Sequence, residues 1–145
     1  MEFSIPGKPE PAGSKRAFVR GGHAIVTDAN KNAAPWKLEV KAAAAEAMRR
    51  RNGHNGLIEG PLQVSMVFIV PRPQNHFTST GNPSAVAKRT PFPTVKPDLL
   101  KLARGIEDAM TGIVYRDDSQ IVLERLQKLY GAVYETRVIV LPMPQ

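Results

Sequence analysis

Three carboxylates stand close together in the chain around one short basic stretch, Asp98 before it and Asp117 and Asp118 after it. Lys96 precedes the stretch, and Lys101 and Arg104 lie within it. Acids gathered inside a basic protein suit a metal-dependent reaction on a polyanion. A divalent cation draws the carboxylates together, and Lys and Arg hold the phosphates. Mg²⁺ fits such a set, because it takes one or two carboxylates plus waters and substrate phosphate. The same residues have a plainer use, Asp98 as a helix N-cap and Asp117-Asp118 as turn residues. Residue types and spacing leave both uses open.

Other chemistries lack their residues. The chain has no cysteine, which removes disulfides and thiolate metal sites. His23, His54 and His76 share no metal-ligand spacing and fall in turns or loops, so they are expected at the surface. No Gly-rich phosphate loop is followed by Lys-Ser/Thr, and no serine sits in a nucleophile elbow. With 20 Lys and Arg against 13 Asp and Glu, the net charge is +7. That footprint favours nucleic acid as partner over a small acidic metabolite. No apolar run approaches the roughly 20 residues that span a bilayer, and the first residues do not read as a signal peptide. Absence of cysteine fits a cytosolic protein.

The elements that must position these residues read as one small domain over 1–145. Phe3 to Ile5 is a short strand stopped by Pro6-Gly7. A Pro/Gly/Ser segment with Lys8, Lys15 and Arg16 leads to a hairpin over 17–27, turning at Gly21-Gly22. Asn32 to Arg51 is the clearest helix, with Asn32 as cap, Pro35 in the first turn and Asn52-Gly53 as stop. Trp36, Val40, Ala43, Ala44, Ala47 and Met48 make its apolar stripe. Leu62 to Val70 reads as a central strand, stopped by Pro71-Arg72-Pro73. The stretch from Gln74 to Val95 has no usable periodicity. With its borders it reads as a flexible basic loop over 72–96, carrying Lys88 and Arg89.

Asp98 to Thr111 is the second helix, buried through Leu99, Leu102, Ile106, Ala109 and Met110, with Arg104 and Asp108 as i, i+4 neighbours. Gly112 ends it. Two strands follow, Ile121 to Tyr130 and Ala132 to Leu141, with Gly131 as the turn between them. The fold class is α/β (α+β), a mixed β-sheet with two main helices.

Lys96-Pro97-Asp98, a Leu-rich basic helix ending in Asp108-Ala109-Met110, and then Asp117-Asp118-Ser119-Gln120-Ile121 resemble the RusA family of Holliday junction resolvases. That pattern runs basic-x-Asp-x-Asp-Asn-Leu-x-Lys, then Asp-Ala-Leu, then Asp-Asp-x-Gln. The core match covers 96–121, and the order of elements agrees over most of the chain. The resemblance implies a metal-dependent endodeoxyribonuclease of phage or prophage type, acting as a homodimer on four-way DNA junctions in recombination and repair. It implies Mg²⁺, with Mn²⁺ as the other ion, and the cytoplasm of a bacterial host.

Carried over by position, Asp98 matches the first essential aspartate and Asp118 the essential aspartate of the later pair, with Asp117 beside it. Arg104 takes the place of a functional lysine, and Asp108 is structural through Arg104. Lys15, Arg16, Lys88, Arg89, Lys96 and Lys101 are the expected DNA contacts. The family's second helix aspartate is Leu100 here, and the Asn after it is Lys101. Leucine binds no cation. Glu107 is the obvious substitute in type, yet it falls seven residues on, about 10 Å along a helix. Asp28 and Glu124 are the other acids open to this role. Loss of the carboxylate admits a non-catalytic binder of branched DNA as an alternative. A structural or assembly protein with a basic surface is another.

Overall fold

A computed structural model describes residues 1–13, 15–51 and 56–144, with the backbone alone at Lys15 and Asp28. The Asn52-Gly53 stop and His54 lie outside the described residues. The elements are β1 (Glu2–Pro6), β2 (Lys15–Arg20), β3 (His23–Asp28), α1 (Ala33–Arg50), β4 (Leu62–Pro71), α2 (Ala85–Arg89), α3 (Leu99–Met110), β5 (Ile121–Gly131) and β6 (Glu135–Pro142). The expected α+β domain with a mixed sheet is observed. A third, short helix joins the two main ones.

Four strands form the main sheet in the order β1-β6-β4-β5. β4 pairs parallel with β5 and antiparallel with β6, so it is the central strand its apolar alternation predicts. Leu62, Val64, Met66 and Phe68 are fully buried, because every second side chain of β4 faces the two long helices. Each such side chain contributes roughly 1.5–3 kcal/mol by leaving water. Trp36, Val40, Ala44 and Ala47 of α1 and Leu102, Ala103, Ile106, Ala109 and Met110 of α3 close the core from that side.

The expected turn at Gly131 is corrected. β5 and β6 are not neighbours, since β4 lies between them, and Gly131 is the last residue of β5. A parallel β4–β5 pair needs a crossover, and α3 supplies it. The chain then passes over the end of β4 through 132–134 before β6 begins at Glu135, three residues later than its β-favouring composition suggests. β2 and β3 form a separate hairpin, and Gly21 and Gly22 adopt the positive φ its turn requires.

The segment without periodicity carries local order of its own. Residues Gln74–His76 make a 3₁₀ turn, and Ser84 caps α2 by accepting from the Ala87 N–H. Arg72 binds this segment to the sheet: its guanidinium donates to Ala87 O and Thr90 O and lies over the Tyr130 ring, 4.2 Å from its centre. His76, expected at the surface, is buried. It meets Tyr130 edge-on and contacts Arg72 through Nδ1 at 3.2 Å. Hydropathy periodicity misses a segment held by one arginine and its polar partners.

Candidate nuclease site

α3 carries the proposed acids at or beyond both its ends. Asp98 occupies the N-cap position, and its extended backbone starts the helix. Its carboxylate makes no capping bond. Instead it stands 3.6 Å from Lys101 Nζ, with both side chains exposed. A pair this open is worth well under about 1 kcal/mol, so Asp98 is free to be drawn elsewhere. The expected side-chain cap at Asn32 is likewise absent; Asn30 accepts from the Asn32 N–H instead.

The opposite end is built differently. α3 closes at Thr111, and Tyr115 lies fully buried beneath the last turn, donating its hydroxyl to Glu107 O at 3.1 Å. Burial, with Glu107 nearby, pushes the Tyr115 phenol well above its usual range, so it stays a donor at any working pH. The turn that follows is organised by Gln120. Its amide nitrogen donates to Ile58 O and Gly60 O, both at 3.0 Å, and its oxygen accepts from the N–H groups of Arg116 and Asp117. Asp117 accepts from the Ser119 N–H at 2.9 Å, which orders the turn; hydrogen bonding to the Ser119 side chain and then to this N–H lowers its pKa. Asp118, next in sequence, is exposed and lies against Asp117.

Glu107 faces this turn from α3, half-buried. Its carboxyl is pushed up to about 7, first by burial, then by a hydrogen bond and charge repulsion with Glu124, and further by Asp118 and Asp108. Glu107 therefore meets Glu124 directly, and the charges of Asp118 and Asp108 act on it from further off. Sequence spacing set Glu107 too far from Leu100 to replace an aspartate there. Both lie on α3, with Leu100 72% exposed in the first turn and Glu107 in the last. What spacing missed is that β5 brings Glu124 under the far end of the helix. The alternation Glu124, Leu126, Lys128 on one face of β5 was the available signal.

Asp98 and Glu107 are nine residues apart, about 13 Å along a helix axis. Asp118 acts on Glu107, near the opposite end of α3 from Asp98. Among the described residues, no three His, Asp or Glu side chains stand close enough to hold a metal ion. In chemistry, the carboxyl groups at this end are of the type a hard divalent cation takes, although the described residues of one chain do not gather enough of them. Their donors are all oxygen, and their mutual repulsion is what a cation would relieve.

The basic residues are spread over the molecule. Lys101 and Lys96 border Asp98, and Arg104 lies on an exposed side of α3. The expected partnership of Arg104 with Asp108 is corrected: Asp108 pairs with Lys37 of α1 at 3.7 Å, because α1 crosses α3 on that side. Lys88 and Arg89 end α2, where Arg89 bonds Ala85 O, and Arg16 is exposed on the hairpin. The side chains of Lys15 and Asp28 lie outside what is described. No helix among the described residues is long and apolar enough to cross a membrane.

A family model described as endodeoxyribonuclease RusA matches residues 6–141. A protein of Bacillus subtilis strain 168, named "Uncharacterized protein YqaN", is 28% identical over 140 residues, covering 97% of this chain and 94% of that one.

Proposed function

This chain belongs to the RusA family of endodeoxyribonucleases, and from that premise we propose that it resolves four-way DNA junctions as a metal-dependent homodimer. The observation that carries this reading is the division of acids between the two ends of α3, with Asp98 at one and Asp118, Glu107 and Glu124 at the other. A two-fold axis that sets the start of one α3 beside the end of its partner's α3 joins these halves twice over. Two equal sites suit a junction whose opposed strands are cut as a pair.

Asp98 and Asp118 are the proposed ligands, with Asp117 and Glu107 as further carboxylates, and Mg²⁺ or Mn²⁺ as the ion. A bound divalent cation neutralises phosphate charge and makes its water acidic. The chain's own residues do the rest. Gln120 fixes the backbone that carries Asp118. Lys101 and Arg104 offset charge on the phosphate, and Lys101 gives up its pairing with Asp98 when a stronger partner arrives. Lys15, Arg16, Lys88, Arg89 and Lys96 contact the DNA arms. Leu100 removes one carboxylate from the helix start, and the acids at the far end supply the balance. The proposed setting is DNA recombination and repair in the cytoplasm of a bacterial host, for a chain of phage or prophage type.

The test is cleavage of a labelled four-way junction against matched linear duplex in Mg²⁺, Mn²⁺ or EDTA, with Asp118→Asn beside it. Paired nicks that need metal and vanish in the variant are expected. Tight junction binding without nicks in either metal would leave a binder of branched DNA. No preference for the junction would remove the reading.

A further inference from the structure

A cavity of about 750 Å³ opens beside Asp98, between the ends of β4 and β5, the start of α3 and the segment after β1. Its volume lies in the range of small-ligand sites. Prolines and the rings of Tyr130 and Tyr134 give it flat apolar walls, while Lys8, Lys96 and Lys101 stand exposed at its edge. Two further cations of the lining are already engaged. Lys128 donates to Val95 O at 2.8 Å and Pro97 O at 3.1 Å, and Arg72 is bound to α2 and stacked on Tyr130. These two brace the walls, while Lys8 and Lys96 stand at the edge and Lys101 holds only its exposed pair with Asp98, which a phosphate can displace. Only Glu10 and Asp98 oppose them in charge.

Flat apolar surfaces ringed by lysine match a nucleotide, whose base stacks and whose phosphates carry the charge. Duplex DNA keeps its bases paired, so only a base freed from the stack can enter. We propose that this cavity takes one unstacked nucleotide of single-stranded DNA, with its base against Tyr134 and the proline walls and its flanking phosphates on Lys8, Lys96 and Lys101. The inference deepens the junction-cutting reading and rests on it for its setting, because a branch point exposes such bases. Contact with Asp98 places the held nucleotide next to the backbone to be cut. A proline-rich peptide would also find flat rings here, but the basic edge favours the polyanion.

The probe is a single-stranded trinucleotide with 2-aminopurine at its centre, titrated by fluorescence into the full chain. Quenching on binding is expected. Tyr134→Ala should weaken binding at least fivefold and Tyr134→Phe should preserve it. Lys96→Ala should weaken it and lower the salt dependence. Absent quenching, equal binding of the matching duplex, loss of binding to a proline-rich competitor at similar concentration, or indifference to Tyr134→Ala would each overturn the inference. Junction cleavage measured on the same preparations separates the two readings. Cleavage without trinucleotide binding removes the nucleotide pocket alone. Trinucleotide binding without cleavage keeps the pocket and removes the resolvase.

Discussion

The two ends of α3 carry the same type of residue in opposite surroundings. At the start, Asp98 is exposed, pairs with Lys101, and borders a basic cavity. At the end, Glu107 is half-buried over Tyr115, meets Glu124, and faces a turn tied down by four Gln120 hydrogen bonds. One end is open and bordered by lysines. The other stores repulsion between carboxylates in fixed positions. The Gln120 hydrogen bonds keep the turn that carries Asp118 from relaxing away from Glu107. Openness at the start lets Asp98 move toward whatever completes it.

Breaking the rigid end should have the largest effect. Asp118→Asn is expected to reduce junction cleavage by at least ~10³-fold, since a ligand supplies several kcal/mol of charge stabilisation at tenfold per 1.4 kcal/mol. Steady-state cleavage, with junction binding as control, measures it. Gln120→Leu orphans two carbonyls and two N–H groups, and should cost about 2–3 kcal/mol in urea unfolding as well as lowering cleavage.

Glu107 gives a smaller effect with a definite sign. Its folded pKa of about 7 lies above the ordinary carboxylate value of 4.5, so the folded state holds the proton more tightly. Its contribution to stability is full below about pH 4.5 and fades as pH rises through 7. Glu107→Gln should flatten that decline and gain on the order of 1 kcal/mol at pH 8, after allowance for screening at a half-exposed site. Thermal unfolding between pH 4.5 and 8 without metal reads it. The open end should yield least. Lys101→Ala is expected to leave stability within about 0.5 kcal/mol and to lower the salt slope of junction binding by about one.

Much of this contrast was readable from the chain. Alternation in β4, the Gly21-Gly22 turn and the apolar stripes of α1 and α3 obey short-range periodicities, and the structure places all of them as read. The paired motifs around α3 located both acidic ends. Three things were not legible. Pairing of β4 with β5 instead of β5 with β6 is a long-range choice that no local turn residue encodes. Arg72 anchors α2 across 15 and 18 residues through carbonyls, which carry no sequence signature. Crowding of Glu107 with Glu124 needs the register of β5 against α3, and Glu124 alone looks like one more exposed acid on a strand.

The most direct measurement mixes two inactive variants. Asp98→Asn and Asp118→Asn are each expected to leave a four-way junction uncut in Mg²⁺. If the two ends of α3 complete each other across a dimer, co-refolded chains form a heterodimer with one intact site, and single nicks return. If mixing restores no nicks although each variant still binds the junction and forms dimers, the two ends do not share a site, and the central claim is contradicted.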